Sequence, residues 1–345
     1  MGVLPLLTLE EHFLAQAAKN TLVSVILKRV TRSPHFERMF QNFPGIQKRI
    51  YDTSTLRLAS MDENKVSLQV LSHVPGVISP AEARATNDEA AAAVKANPSR
   101  LAALAALPVA DPAACADELR RCVQDLGFAG ALIGNHANGT YYEGAEYDTL
   151  WRTAEELDVP IYLHPTIPSP EQARVVYYPG REGSENALSA RAAAGIGEYA
   201  WGWHSDVAVH VLRLFGAGLF DRFPRLKIVI GHFGEMLPFM VQRVEWATGH
   251  WPKRERNFTQ AYNENIWITT SGVWSLDPMA TILRNTSIDK ILYSVDYPFT
   301  SNEDGLKWMK DLVQSGLVTR DQLEKIAYKN AEELLKVKAT KAFEF

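Results

Sequence analysis

The sequence predicts an α/β protein folded as one TIM-type (β/α)8 barrel, and three observations carry that prediction. Short runs of branched apolar residues recur eight times along the 345 residues. Stretches with the three-to-four-residue periodicity of amphipathic helices separate them. Several runs end in a polar residue that packing alone does not explain. Strand and helix alternating eight times is the pattern of a closed parallel barrel, whose chemistry sits at the carboxyl ends of the strands. Length alone also admits two domains. No Ser/Gly linker, low-complexity tract or solenoid-period repeat divides the chain, so residues 1–345 are read as a single barrel domain.

In chain order the runs are Leu6–Phe13 (LLTLEEHF), Val66–Ser72 (VSLQVLS), Leu101–Pro108 (LAALAALP), Gly130–Asn135 (GALIGN), Pro160–Pro165 (PIYLHP), Lys227–His232 (KIVIGH), Ile266–Gly272 (IWITTSG) and Lys290–Phe299 (KILYSVDYPF). Helices are predicted over Asn87–Ala96, Pro112–Leu126, Tyr147–Leu157, Ser205–Phe215, Met236–Thr248, Pro278–Arg284 and Arg320–Leu335. Asp111-Pro112 is a start signal, an N-cap aspartate before a proline whose missing N–H is not needed there, and Gly127 is a stop. Residues 14–65 and 166–200 are too long for plain connections. They follow the first and fifth strands, so they are expected as insertions shaping the active-site mouth.

Composition narrows the function. With 46% hydrophobic and 22% charged residues the chain has apolar surface for a large core, which excludes disordered and fibrous classes. Its 36 basic and 40 acidic residues leave a net charge of −4, no footprint for nucleic acid or an anionic membrane. No apolar run is long enough to span a bilayer, and Met1–Leu9 lacks the charged and long apolar regions of a signal peptide. Two cysteines, Cys115 and Cys122, provide neither a disulfide framework nor a thiolate zinc site. A cytoplasmic protein is the expectation.

What stands out is the placement of some of the nine histidines. Glu10 and His12 end the first run, His164 the fifth, His232 the sixth and Asp296 the eighth. Side chains alternate along a strand, so Glu10 and His12 point the same way and Glu11 the other. Glu10, His12, His164 and Asp296 form a mixed oxygen and nitrogen shell suited to one divalent metal ion, Zn2+ or Mn2+. No lysine ends a run, so a lysine-bridged metal pair is not expected. Glu235, three residues after His232, is either a first-turn acid favoured by a helix dipole or the carboxylate that orients His232. Arg243 is either a surface cation or, near the mouth, a counter-charge for an anionic substrate. His73, at the end of the second run, and Phe299, within the eighth, are placed with substrate. His35, His136, His204, His210 and His250 fall in helices or loops and read as exposed or structural. Glycine-rich nucleotide motifs and the Gly-x-Ser-x-Gly elbow are absent, so nucleotide-cofactor and serine-hydrolase readings lack their motifs.

At these residues the chain resembles the amidohydrolase superfamily, in the branch of aminocarboxymuconate semialdehyde decarboxylase and the nonoxidative hydroxybenzoate decarboxylases. The motifs are LEEHF, DVPIYLHP, GLFDRFPRLKIVIGHFGEMLPF, NIWITTSG and ILYSVDYPF, with NPSRLAALAALPVADPAACADELRRCVQDLGFAGALIGN between them. The resemblance implies metal ligation by Glu10, His12, His164 and Asp296, catalytic support from His232 and Glu235, and Arg243 near the substrate. Glu-x-His at the first strand is similar to γ-resorcylate decarboxylases. The implied reaction is loss of CO2 from an ortho-hydroxy aromatic acid of hydroxybenzoate, resorcylate or 6-alkylsalicylate type, with Asp296 as proton donor to the ring. The resemblance also implies a homo-oligomer, a dimer or tetramer. The alternative is a metal-dependent hydrolase of the same superfamily, cleaving an amide, lactone or ring bond with the same shell.

Overall fold

The computed structural model describes residues 3–18, 45–177 and 188–344. All eight predicted runs are strands, and all pair in parallel. They are β1 (Leu7–Phe13), β2 (Leu68–His73), β3 (Leu101–Ala103), β4 (Ala131–Gly134), β5 (Pro160–His164), β6 (Lys227–Ile230), β7 (Ile266–Thr269) and β8 (Ile291–Leu292). The ladder runs β1-β2-β3 and β4-β5-β6-β7-β8, and a parallel bridge between Ala105 and Ala131 joins the two arcs. The β8–β1 seam is closed just beyond the short last strand. There the His12 N–H donates to the Tyr297 carbonyl at 2.6 Å. Glu11 accepts from the backbone N–H groups of Val295 and Tyr297, both at 3.1 Å. A two-residue antiparallel pair, Val3–Leu4 with Phe343–Glu344, joins the two ends of the described chain.

Leu7, Leu9, Val70, Leu104, Leu132, Tyr162, Val229 and Leu292 form one buried cluster drawn from strands around the whole ring. They fill the interior, as barrel cores do. A larger cluster packs the helices onto the outer face, with Cys115, Leu119, Leu150, Trp151, Val207 and Val211 among its members.

The helices used below are α1 (Pro80–Ala96), α2 (Pro112–Gln124), α3 (Asp148–Leu157), α4 (Gly202–Gly216) and α5 (Leu237–Thr248). Asp111 caps α2 as expected, its side chain accepting from the Ala114 N–H at 3.2 Å. α1 begins at Pro80, not at Asn87. Ser79 and Glu82 form a reciprocal capping box with proline at the first position. Helices over Thr55–Glu63, Ala190–Gly197, Phe258–Asn265 and Asn302–Ser315 were not anticipated. Among the described residues no helix is long and apolar enough to cross a membrane. The insertion 14–65 is described from residue 45 onward beyond its first turn, and 166–200 is described outside 178–187.

Candidate active site

The site begins with an irregularity in β1. Leu9 pairs with Val70 and Glu11 with Leu71, so Glu10 is the extra residue of a bulge. A bulge re-aims a side chain and bends its strand. Glu10 and His12 accordingly converge, while Glu11 turns to the β8 seam, as alternation alone had suggested. Glu11 is fully buried, and besides the two backbone N–H groups it accepts from Ser294 Oγ and Gln69 Nε2, both at 3.2 Å. Burial pushes its carboxyl up to about 7. It functions as the clasp that holds the segment carrying Asp296. Arg57, from the Thr55–Glu63 helix, braces the same place. Its guanidinium donates to the His12 carbonyl and to Gln69 Oε1, and lies over the Tyr297 ring at 4.7 Å.

Donor atoms from Glu10, His12, His164 and Asp296 lie within 4.8 Å of one another. His12 Nε2 is 3.1 Å from His164 Nε2 and 3.3 Å from Asp296 Oδ1, and His164 Nε2 is 3.1 Å from Glu10 Oε1. The outer nitrogens are tied: His164 Nδ1 donates to the Pro165 carbonyl at 2.8 Å, and His12 Nδ1 meets Ser72 Oγ at 3.2 Å. The His164 Nε2 lone pair therefore faces inward. Glu10 Oε1 and Asp296 Oδ1 are buried without a hydrogen-bond partner, although buried polar atoms normally have one. Two orphaned carboxylate oxygens and two inward imidazole nitrogens fit a divalent cation.

Electrostatics separates the two carboxylates. Burial opposes the charge on Glu10, but His232, His164 and His12 overcome it and hold the carboxyl well below its usual range. Tyr162 Oη and Thr269 Oγ1 donate to its other oxygen. Asp296 moves the opposite way: burial and the neighbouring Glu10 raise it well above the usual range. Burial and His164 lower His12 well below its ordinary value.

His232 follows β6 on a backbone that no periodicity foretells. His232, Phe233, Gly234, Glu235 and Met236 have φ of 48, 57, 86, 53 and 64°, one left-handed turn. Each non-glycine residue there costs roughly 1–2 kcal/mol, and the turn brings residues three apart to the same side. His232 Nδ1 is 2.8 Å from Glu235 Oε1, and His232 Nε2 faces Glu10 Oε1 at 3.7 Å. Burial disfavours the imidazolium, but Glu235 and Glu10 outweigh it and push His232 up to about 10. The preceding glycine is required by close approach, since a Cβ on Gly231 would meet Tyr162 Oη at 2.9 Å and both Glu10 oxygens at 3.2 Å.

Of the remaining predicted residues, Phe299 is at the site, its ring edge-on to His12 at 5.5 Å. His73 is buried beside Phe13 at the end of β2, with Nε2 unpartnered, and lies outside the four-donor cluster. Arg243 lies on the exposed side of α5, outside the four-donor cluster, with its guanidinium 4.7 Å over the Trp246 ring. His204, read from sequence as exposed or structural, reaches the cluster instead, with Nδ1 2.6 Å from Glu235 Oε2. Its position in the first turn of α4 gave no signal, because the contact depends on how α4 packs against the turn after β6. His136 and His210 are buried in a separate polar network, His250 packs on Trp246, and His35 lies outside the described residues.

Eight parallel strands with acids and histidines gathered at their carboxyl ends define an α/β-barrel enzyme. More particularly, the chain belongs to the amidohydrolase family, whose model matches residues 51–337. Decarboxylase orsB of Emericella nidulans is 50% identical over 340 residues, covering 96% of this chain and 97% of that one. A dihydroxybenzoic acid decarboxylase from Polaromonas sp. JS666, solved with manganese and the inhibitor 2-nitroresorcinol, is 30% identical with a TM-score of 0.80; the match covers 96% of this chain and 97% of that one. A 2,6-dihydroxybenzoate decarboxylase solved with 2,6-dihydroxybenzoate is 32% identical with a TM-score of 0.78, covering 97% of this chain and all of the other.

Proposed function

We propose that this protein is a metal-dependent decarboxylase that removes CO2, without redox chemistry, from an aromatic acid bearing a hydroxyl ortho to its carboxylate. The substrate class is 2,6-dihydroxybenzoate and 6-alkyl-2-hydroxybenzoates. Glu10, His12, His164 and Asp296 would hold one divalent cation, manganese or zinc. When bound, such an ion supplies Lewis-acid charge for the carboxylate and phenolate oxygens. The reaction needs no organic cofactor.

One observation carries the reaction type: Asp296 brings a carboxyl group to the donor cluster, where its Oδ1 is buried without a hydrogen-bond partner. In its protonated form Asp296 delivers a proton to the ring carbon bearing the carboxylate, as a general acid does. The carbon–carbon bond then breaks, its electron pair restores the aromatic ring, and CO2 leaves. Solvent reprotonates Asp296. His232, aimed by Glu235, holds the substrate hydroxyl, and Phe299 packs against the ring. The described parts of the two insertions, 14–18 with 45–65 and 166–177 with 188–200, shape the mouth, and the chain acts as one domain. Exposed Phe239, Met240 and Trp246, on and beside the face of α5 that carries Arg243, support a homo-oligomer.

The test is purified, metal-analysed protein supplied with 2,6-dihydroxybenzoate and a series of 6-alkyl-2-hydroxybenzoates. Stoichiometric CO2 and the matching phenol are expected. Failure to turn over any member would overturn the proposal, and product carrying oxygen from labelled water would favour the hydrolase instead.

A further inference from the structure

Glu235 is 1% exposed, and each of its oxygens faces a different imidazole. Oε1 meets His232 Nδ1 at 2.8 Å and Oε2 meets His204 Nδ1 at 2.6 Å. We propose that His204 is a positioning residue of this site: by gripping the second oxygen of Glu235 it fixes the aim of His232. The proposal rests on the decarboxylase reading for its kinetic consequence, and on geometry alone for its structural one.

An ionised carboxylate only accepts hydrogen bonds, so both Nδ1 atoms carry their protons. His232 is thereby left with Nε2 directed at Glu10, 3.7 Å away. One donor on one oxygen leaves a carboxylate free to rotate about its last bond, and the imidazole hydrogen-bonded to it moves with it. Two donors from separate elements remove that freedom. His232 belongs to the strained turn after β6, whereas His204 is fixed to the first turn of α4. His204 is itself held, since the indole N–H of Trp203 donates to its Nε2 at 3.0 Å and its ring packs against His232 with centroids 4.5 Å apart. Burial works against the charge on Glu235, and the two histidines together pull it down to about 2. Without His204, Oε2 becomes a buried acceptor with no donor, the costly case for a polar group.

Two substitutions separate positioning from simple space filling. His204→Phe keeps an aromatic ring and removes the donor; His204→Asn keeps an amide N–H near the place of Nδ1. Histidine-labelled full-length protein is examined by nitrogen-15 NMR, and kcat and KM are measured on 2,6-dihydroxybenzoate. In the wild type the His232 Nδ1–H bonded to Glu235 is expected as a far-downfield proton. In His204→Phe that resonance is lost or broadened, and kcat falls about 10- to 100-fold, the usual scale for a residue acting through a ligand's partner, with KM within about threefold. His204→Asn restores the His232 resonance and most of kcat. A folded His204→Phe variant with an unchanged His232 signal overturns the proposal, as does a folded His204→Asn variant no better than His204→Phe. If the wild type releases no CO2, the decarboxylase reading fails, and the NMR arm still decides the role of His204.

Discussion

Glu10 and Asp296 are carboxylates in one cluster, yet their surroundings move their proton affinities in opposite directions. Three histidines lower that of Glu10 against its burial, while burial and Glu10 itself raise that of Asp296. Neighbouring acids with separated proton affinities are how a site divides labour between an anionic anchor and an acid. Asp296→Asn, which preserves size and removes the transferable proton, should lower kcat about 10²- to 10⁴-fold, the range of general acid catalysis; near-wild-type CO2 release would refute the assignment. The site was legible at this scale wherever a residue ended a strand: Glu10, His12, His164 and Asp296 share that position, and a barrel has few structural uses for it. The contact of His204 with Glu235 was not legible. His204 lies on a helix, and which way a helical residue faces relative to a strand end is set by packing that one sequence does not display.

At the scale of elements, strands were easier to read than helices. Branched apolar runs mark strands whether their residues face the interior or the helices. Thr55–Glu63 buries only Arg57 and Met61, which leaves it little apolar periodicity to detect. The early start of α1, by contrast, was written in Ser79, Pro80 and Glu82, a capping signal that outranks the first apolar residue. Ser79 Oγ accepts from the Glu82 N–H at 3.3 Å, so Ser79→Ala should cost about 1 kcal/mol in a urea titration, with an unchanged midpoint counting against the cap. The left-handed turn after β6 was invisible, because four of its five residues are not glycine. Backbone strain of this kind persists only where the surroundings over-determine it. Here the Ser271 hydroxyl accepting from the His232 N–H, and the His232–Glu235 pair, do so.

For the whole molecule, buried neutral histidines set an acid limit. His210 is fully buried, with Nε2 accepting from the Tyr142 N–H at 3.2 Å, and burial pushes it down to about 3. Unfolded, it binds a proton near pH 6.5. Its contribution is therefore complete above pH 6.5 and is lost as pH falls toward 3, on the order of 5 kcal/mol by linkage. His73, lowered by burial to about 4, acts with the same sign. With chelator present to remove proton-linked metal loss, urea midpoints of the wild type should fall steeply between pH 6.5 and 4 and those of His210→Gln less so; parallel curves would exclude His210 as a cause. The clasp between β1 and β8 bears on how the enzyme is made. Glu11 binds the backbone of Tyr297, 286 positions later, and Glu10 and Asp296, their neighbours in sequence, complete one cluster. During synthesis the first acid emerges long before the last, so a nascent chain has no active site until nearly all of it has left the ribosome. Ring closure and the onset of activity are then the same event, and a prematurely terminated chain is inert whatever fraction of its barrel has formed.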